Sequence, residues 1–267
     1  MWVAAVQMQS TAEPAENLPR ARALIREAAD RGARLVALPE HFSAYGPRIA
    51  LQNHAQSLDG PLLADFTALA QELEIYLLLG SFSERIPESD YIYNTSVLIG
   101  PAGDLLAIYR KMHLFDVDIP GRVAYRESQY VLPGADLVTA PLAAEGVTAG
   151  LAICYDLRFP ELFRALVTAG AEMLLLPSAF ARETGRDHWE VLVRARAIEN
   201  QAYVIAPNQY GEHSPGLISY GRSLIVDPWG VVLSQAPDGE GIIYARLSRE
   251  ELVRRRRELP CLSHRRL

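Results

Sequence analysis

The sequence predicts an α/β protein in which two mixed β-sheets pack face to face between layers of helices. Short, almost wholly apolar runs recur along the chain, which is typical of strands buried on both faces. Helical patterns separate several of these runs, as in parallel crossover units. Two hairpin signals add antiparallel strands, so the sheets are mixed. The strands are too numerous for the helices to cover both faces of one open sheet, which favours two packed sheets.

The individual elements follow from the same patterns. The predicted buried strands are residues 2–6, 35–38, 76–79, 147–153, 173–176 and 203–206. The predicted helices are residues 17–31, 62–73, 160–169 and 187–200. Pro160 suits a first helical turn, and Gly32 and Gly170 suit the position after a helix. Predicted hairpins join 91–99 with 105–111 and 223–226 with 231–234, and residues 241–247 add a further strand.

Length and composition limit the classes of protein. One core can still support 267 residues, so we expect a single domain over residues 1–267. The net charge of −6 disfavours a nucleic-acid-binding surface, and no apolar run approaches the roughly 20 residues of a membrane span. Cys154 and Cys261 cannot form a disulfide framework, and the chain opens without a basic leader. We therefore expect a soluble, cytoplasmic protein, with no role assigned to Cys261.

Cys154 is the first candidate for chemistry. It ends the apolar run 150–153 and is followed by Tyr155-Asp156-Leu157-Arg158-Phe159-Pro160, where a strand stops and a turn leads into a helix. Backbone amides beyond such a turn can stabilise both a thiolate and a developing oxyanion. The alternative is a small buried hydrophobic residue, which is the commoner role of a single cysteine after a strand.

Three charged residues are further candidates. Glu40 lies just beyond the apolar run 35–38, where a carboxylate can act as a general acid or base. Lys111 follows a predicted strand, and its ammonium could stabilise an oxyanion. Glu127 lies in a predicted long loop that runs from Pro120-Gly121 to Pro133-Gly134 and could cross a site. Each of the three, taken alone, also fits a solvated side chain or a helix cap.

Other chemistries have less support. The six histidines include no His-x-x-x-His pair, and no His/Cys cluster has zinc-ligand spacing, so no metal is expected. No Gly-x-Ser-x-Gly elbow is present to anchor a serine hydrolase. The arginines at 254–257 are most simply a solvated helix end.

Three segments together resemble a known family. Pro39-Glu40, Tyr109-Arg110-Lys111-Met112-His113-Leu114 and Ile153-Cys154-Tyr155-Asp156-Leu157-Arg158-Phe159-Pro160-Glu161 place Glu, Lys and Cys in the order that marks the nitrilase superfamily of carbon-nitrogen hydrolases. The resemblance extends from residues 4–8 to 227–230. It implies a four-layer α-β-β-α sandwich and a thiol mechanism without a cofactor. It also implies a homodimer or a higher homo-oligomer, to whose contact we expect the C-terminal segment, about residues 248–267, to contribute.

The resemblance also implies roles for the candidates. Cys154 corresponds to the nucleophile, Glu40 to the general base and Lys111 to the oxyanion stabiliser. Glu127 corresponds to a second glutamate that supports Lys111 and the substrate. These types suit the chemistry, because an amide is a poor electrophile and a neutral thiol is a poor nucleophile.

The expected substrate is a small amide. Residues 113–121 and Arg126-Glu127-Ser128 resemble a branch of amidases that act on 2-oxo acid amides. That branch implies Arg158 as the ligand of the substrate carboxylate, and its remaining expected substrate contacts are Tyr155, Phe180, Thr184 and His113. Residues 188–192, 194–199 and 259–266 are closer to amidases of deaminated glutathione than to the sister omega-amidases of 2-oxoglutaramate. N-carbamoyl amino acid hydrolysis, nitrile hydrolysis and a catalytically silent binding or regulatory protein remain alternatives.

Overall fold

The structure is a computed structural model that describes residues 1–119 and 123–266. The α-helices are α1 Pro14–Asp30, α2 Arg48–Asn53, α3 Pro61–Leu73, α4 Pro160–Thr168, α5 Arg182–Asn200 and α6 Arg249–Glu258. The strands of the first part of the chain are β1 Trp2–Gln7, β2 Leu35–Ala37, β3 Tyr76–Leu78, β4 Phe82–Arg85, β5 Ile92–Ile99, β6 Leu105–Arg110, β7 Asp116–Ile119 and β8 Val123–Arg126. The later strands are β9 Thr139–Leu142, β10 Val147–Leu151, β11 Met173–Leu175, β12 Tyr203–Ala206, β13 Tyr210–Ser214, β14 Leu217–Tyr220, β15 Leu224–Val226, β16 Val232–Gln235 and β17 Gly241–Arg246.

These strands form two large mixed sheets and two separate hairpins. The first sheet has the order β17-β1-β2-β3-β5-β4, with β6 also paired to β5. The second has the order β16-β15-β12-β11-β10-β9. Each sheet has three parallel strands at its centre, β1, β2 and β3 in one and β10, β11 and β12 in the other, with antiparallel strands on both sides. The short hairpins are β7–β8 and β13–β14.

The side chains of β1 show how the layers stack. Successive residues of a strand point to opposite faces. Ala5 therefore faces inward and joins the cluster that contains Leu151 of the second sheet. Its neighbour Val6 faces outward against Ile25 of α1 and Phe66 of α3. Helices α4 and α5 cover the outer face of the second sheet through contacts with β10, β12 and β15. The predicted four-layer α-β-β-α sandwich is confirmed.

Several predicted bounds need correction. Helix α5 begins at Arg182, five residues before the predicted start, because its polar first turn carries no apolar periodicity. The predicted strand 147–153 ends at Leu151. The stretch predicted as a long loop instead holds β8 and the 3-10 helix Glu127–Gln129, and its Pro120 and Gly121 lie outside the described residues. Strands β4 and β9 and the β13–β14 hairpin were not predicted. In the described chain, no helix combines the length and apolar character needed to cross a bilayer.

Candidate active site

The four predicted catalytic positions line one cavity of about 400 Å³. Glu40 follows β2, Lys111 follows β6 directly, and Cys154 comes three residues after β10. Glu127 opens the 3-10 helix after β8. All four side chains are buried. The site thus lies where the carboxyl ends of strands from both sheets meet, the usual place for chemistry in such sheets.

Lys111 is the centre of the charged group. Its Nζ donates to Glu40 Oε1 at 3.0 Å and to both oxygens of Glu127, at 3.1 and 2.9 Å. The backbone N–H of Phe115 also donates to Glu127 Oε2, at 2.6 Å. Lys111 and Glu127 are each only 3% exposed, so the ion pairs are removed from solvent screening.

Two groups that the sequence analysis missed complete the surroundings of Glu40. Asn94 of β5 donates through Nδ2 to Glu40 Oε1 at 2.9 Å, and the backbone N–H of Ala179 donates to Glu40 Oε2 at 2.8 Å. Asn94 was not detectable, because it is one of three consecutive polar residues, Asn94-Thr95-Ser96, within the predicted strand. Gly80 packs below the same turn, with a φ of +27°, and a Cβ there would lie 1.9 Å from the Pro39 carbonyl oxygen. The position of Glu40 therefore requires a residue without a side chain at position 80.

Cys154 occupies a strained turn. It is the first residue of the 3-10 helix Cys154–Arg158, and its φ of +44° lies in the left-handed region that non-glycine residues rarely adopt. Its thiol and the Glu40 carboxylate line the same cavity, and the carboxylate is near enough to raise the pKa of the thiol. The backbone N–H of Tyr155, in the first turn of this helix, has no acceptor among the described residues. The turn therefore presents a sulfur atom and a free amide N–H at one point of the cavity.

The electrostatics fix the resting protonation states. Burial raises the pKa of the Cys154 thiol well above its usual range, and the nearby Glu40 carboxylate adds to the rise. Burial is the largest influence on Glu40 and acts to raise its pKa, but the Lys111 ammonium and the other neighbouring groups together outweigh it and hold that pKa below its usual range. Burial alone would lower the pKa of Lys111, yet Glu127 and Glu40 raise it well above its usual range. The resting site therefore pairs a neutral thiol with an ionised carboxylate and an ammonium.

Asp156 is a second buried group that the sequence analysis left without a role. Its carboxylate is fully buried and accepts four hydrogen bonds. Oδ1 accepts from the backbone N–H and the ring Nδ1 of His113, at 3.0 and 2.7 Å. Oδ2 accepts from the Tyr109 hydroxyl at 2.7 Å and from the Ile153 N–H at 2.8 Å. Asp156 thus joins the segment that carries Lys111 to the turn that carries Cys154.

The residues predicted to contact substrate separate into two groups. Tyr155, Arg158, Phe180 and Thr184 line the cavity. Arg158 lies over the Phe180 ring at 5.2 Å, and its Nη1 is 3.2 Å from His188 Nδ1. Arg158 forms no ion pair with Glu161 or another carboxylate among the described side chains. His113 differs from the expectation. It is not among the residues that line the cavity, and its ring stacks on that of Phe159, with 3.7 Å between the ring centroids.

The described residues contain one cluster of potential metal ligands, and the ammonium of Lys111 already occupies its centre. Glu40, His41 and Glu127 offer ligand atoms within 4.8 Å of one another. The Lys111 ammonium lies between the two carboxylates, so a metal ion at this point would have to displace it. His41 is held neutral, because burial lowers its pKa. The positive charge of this cluster is therefore supplied by Lys111.

The arrangement suits acyl transfer from an amide to sulfur. A carboxylate in contact with a thiol can take its proton during attack, which is what nucleophilic catalysis by a neutral thiol requires. A buried ammonium and a free backbone N–H nearby can stabilise negative charge that develops on a carbonyl oxygen.

Comparisons with known proteins agree with this chemistry. The chain is 46% identical over 269 residues to a protein from Bos taurus named deaminated glutathione amidase. The match spans 99% of this chain and 81% of that relative. It is 38% identical over 266 residues to omega-amidase NIT2 of Mus musculus, with 99% of this chain and 94% of that relative covered. The crystal structure of the C. elegans NitFhit protein matches with a TM-score of 0.92 at 37% identity, over 99% of this chain and 65% of that chain. This chain therefore spans just under two thirds of that solved protein.

The family assignment rests on the length of the match. The profile of the family described as carbon-nitrogen hydrolase matches residues 2–257, which confirms the resemblance drawn from the Glu, Lys and Cys motifs. The chain therefore belongs to the carbon-nitrogen hydrolase family, the nitrilase superfamily, and is an enzyme of that class.

Proposed function

We propose that this enzyme hydrolyses the amide bond of deaminated glutathione, releasing 2-oxoglutarate and cysteinylglycine. The observation that carries the proposal is the 46% identity, over nearly the whole chain, to a protein named deaminated glutathione amidase. Omega-amidase activity on 2-oxoglutaramate is the second candidate, because a relative with that name is 38% identical over a similar length. Both substrates would leave the same acyl group on the enzyme.

In the acylation step, Cys154 Sγ attacks the amide carbonyl carbon while Glu40 takes the thiol proton. The position of this carboxylate beside the thiol in the same cavity supports that assignment. The carbonyl oxygen takes up the electron pair of its π bond and is stabilised by Lys111 and the free N–H of Tyr155. When the C–N bond breaks, the protonated Glu40 passes its proton to the departing nitrogen. A thioester to Cys154 and a free amine remain.

The second half-reaction reuses the same groups. Water attacks the thioester carbon as Glu40 takes one of its protons, and the oxygen again receives negative charge beside Lys111. The tetrahedral species collapses with cleavage of the C–S bond, and Glu40 returns the proton to the sulfur of Cys154. The products are a carboxylic acid and the resting enzyme. Glu127 contributes by holding the Lys111 ammonium through both of its oxygens, at 2.9 and 3.1 Å.

The acyl group of either substrate carries a 2-oxo carboxylate, for which we propose Arg158 as the partner. A guanidinium can hold a carboxylate in a bidentate manner. Arg158 is restrained by the Phe180 ring and by His188, which leaves less side-chain entropy to lose on binding. Phe180 and Thr184 complete this part of the cavity wall.

We further propose that the enzyme is a homodimer. Val191 and Ile198, seven positions apart on one face of α5, are 67% and 49% exposed. Trp229 and Val231 of the β15–β16 turn extend this apolar surface, and Val253 of α6 in the C-terminal segment is also exposed. Apolar patches of this kind mark contact sites in soluble proteins. Sedimentation of the wild-type enzyme should give a dimer and Val191→Glu a monomer; a monomeric wild type at micromolar concentration would refute the proposal.

A cytoplasmic location is part of the same proposal. Cys154 and Cys261 are both free, and Cys261 is exposed. Unpaired thiols are usual in reducing compartments. Fractionation of cells that express the chain at its natural level tests the location, and recovery outside the cytoplasm would contradict it.

The experiment for the activity compares both amides in parallel. Purified enzyme is incubated with deaminated glutathione or with 2-oxoglutaramate, and cysteinylglycine and ammonia are measured as the released products. We expect a higher kcat/KM for deaminated glutathione, with both reactions abolished in Cys154→Ala. Equal or faster turnover of 2-oxoglutaramate would reassign the enzyme as an omega-amidase. Silence on both substrates would refute the substrate class.

A further inference from the structure

The cavity contains a second arginine that the roles above leave unused. Arg48, at the start of α2, lines the cavity together with Arg158. Its Nε donates to Gln52 Oε1 at 3.0 Å, and its guanidinium lies over the Tyr130 ring, 5.6 Å from the centroid. Among the described residues, neither arginine has a carboxylate oxygen within 4.0 Å. The cavity therefore offers two guanidinium groups that are free to bind anions.

The two arginines belong to different walls. Arg158 lies in the 3-10 helix that begins at Cys154 and packs on Phe180. Arg48 follows the Glu40 segment and packs instead on Tyr130, next to the 3-10 helix Glu127–Gln129. A single carboxylate held by Arg158 would therefore leave Arg48 without a partner.

The charges of the cavity explain why anionic substrates need such partners. Glu40 and Glu127 share the single ammonium of Lys111, so the catalytic group carries a net charge of −1. This charge repels a substrate carboxylate, and the repulsion is strong where water is excluded. Cationic side chains away from the catalytic group offset it and fix the orientation of the substrate.

The proposed mechanism favours a leaving group on the side of Arg48. In the proposed mechanism, Glu40 delivers a proton to the departing nitrogen, so that nitrogen must be within reach of Glu40. The chain after Glu40 forms the adjoining wall, where His41, Tyr45 and Arg48 line the cavity in sequence. Cysteinylglycine is a two-residue chain, which spans up to about 7 Å and ends in a carboxylate. A dipeptide placed along this wall with its nitrogen at Glu40 would have its carboxylate toward Arg48.

We propose that Arg48 binds the terminal carboxylate of the leaving group and so determines the preference for a dipeptide amide over a simple amide. This inference rests on the proposed function. Deaminated glutathione has carboxylates at both ends, matching the two arginines, whereas 2-oxoglutaramate has one carboxylate and releases ammonia. A bidentate arginine contact is geometrically specific as well as strong.

The test measures kcat/KM for wild type and Arg48→Gln with three substrates. These are deaminated glutathione, 2-oxoglutaramate, and deaminated glutathione whose glycine carboxylate is converted to a carboxamide. In Arg48→Gln, the ratio of kcat/KM for deaminated glutathione to that for 2-oxoglutaramate falls about tenfold, mainly through KM. Wild type loses the same factor on the carboxamide, and Arg48→Gln no longer distinguishes carboxylate from carboxamide. Arg186→Gln removes the same charge from α5 outside the cavity lining and serves as the matched control.

Three results separate the possible failures. If Arg48→Gln keeps the wild-type ratio, or still prefers carboxylate to carboxamide as strongly as wild type, the assignment of Arg48 is wrong while the amidase function stands. If Arg186→Gln lowers the ratio as much as Arg48→Gln, the effect is one of overall charge and the assignment is again wrong. Absence of wild-type activity on both natural substrates refutes the proposed function and this inference with it.

Discussion

Replacement of Asp156 by asparagine should uncouple the two halves of the candidate active site. The carboxylate uses each oxygen for two donors, one of them a backbone N–H: His113 N on Oδ1 and Ile153 N on Oδ2. Asparagine has one oxygen, so in either orientation its NH2 group faces a backbone N–H. Asp156→Asn therefore leaves one buried N–H without an acceptor, whichever way the amide is turned.

The size of the effect follows from those contacts. A hydrogen bond to a charged group contributes about 1.5–3 kcal/mol, and a buried donor without a partner costs a similar amount. The Tyr109 hydroxyl can rotate to accept from the new amide, so only the backbone contact is lost outright. We expect the free energy of unfolding to fall by about 3 kcal/mol. We also expect kcat/KM to fall at least tenfold, because the turn that carries Cys154 is no longer fixed to the segment that carries Lys111.

Two assays distinguish positioning from simple destabilisation. Urea unfolding gives the loss of stability, and alkylation of Cys154 by iodoacetamide, in a Cys261→Ala background, reports the reactivity of the thiol in folded protein. Cys261 must be removed because it is exposed and would react as well. An Asp156→Asn enzyme that loses stability but keeps the wild-type alkylation rate and kcat/KM would refute the positioning role.

Three further perturbations follow from the same structure. Burial lowers the pKa of His213 to about 4 from an ordinary 6.5, so the unfolded state binds more protons between these values. The free energy of unfolding should therefore fall by about 3 kcal/mol as the pH drops from 6.5 to 4. In urea unfolding at a series of pH values, His213→Gln should show a smaller dependence of this free energy on pH. A variant with the wild-type pH dependence would contradict the assignment. Gly80→Ala should lower stability by about 2 kcal/mol and reduce kcat, since its Cβ would overlap the Pro39 carbonyl. Gly146→Ala is the control for backbone strain alone, because Gly146 has a φ of +64° and an added Cβ would meet no neighbour within 4 Å. Equal losses of stability and kcat in the two variants would contradict a displacement of Glu40. Glu127→Gln should lower stability by about 3 kcal/mol and kcat with it, because the buried Lys111 keeps only one carboxylate; unchanged thermal unfolding would contradict the buried ion pair.

The parts of the fold that were predictable are those with a strong local pattern. Apolar runs such as that of β12 locate a buried strand, because no other short element is apolar on both faces. The β13–β14 hairpin was missed because its residues are mostly polar or half-buried and so lack this signal. The predicted start of helix α5 was too late, because contacts with another element, and not the local sequence, fix its first turn. A Cβ at Gly185 would lie 2.5 Å from Tyr220 Cβ, so tertiary contact with β14 sets this end of the helix.

The same limit applies to the site. Cys154, Glu40 and Lys111 were detectable because each follows an element that is itself visible in the sequence. Asn94 and Asp156 connect the segments of the site through hydrogen bonds to residues 33 to 54 positions away, in addition to the local bond of Asp156 with Ile153, and nothing in the sequence marks such distant pairs. His113 shows the reverse case. It lies in the segment that resembles the family, yet its ring is directed to Asp156 rather than into the cavity.

The contacts of Lys111 give a reason for two glutamates where one base would suffice for the proton transfer. An ammonium has three N–H donors, and here two are directed to Glu127 and one to Glu40. Glu127 therefore keeps the ammonium charged and in place, while Glu40 receives a single bond from it. If Glu40 takes the Cys154 proton as proposed, its negative charge disappears and its attraction for that third N–H weakens. The donor is then released to the carbonyl oxygen at the moment when that oxygen becomes negative. A single glutamate could not be both the proton acceptor and the lasting anchor of the lysine, because each protonation would loosen the ammonium that the reaction needs.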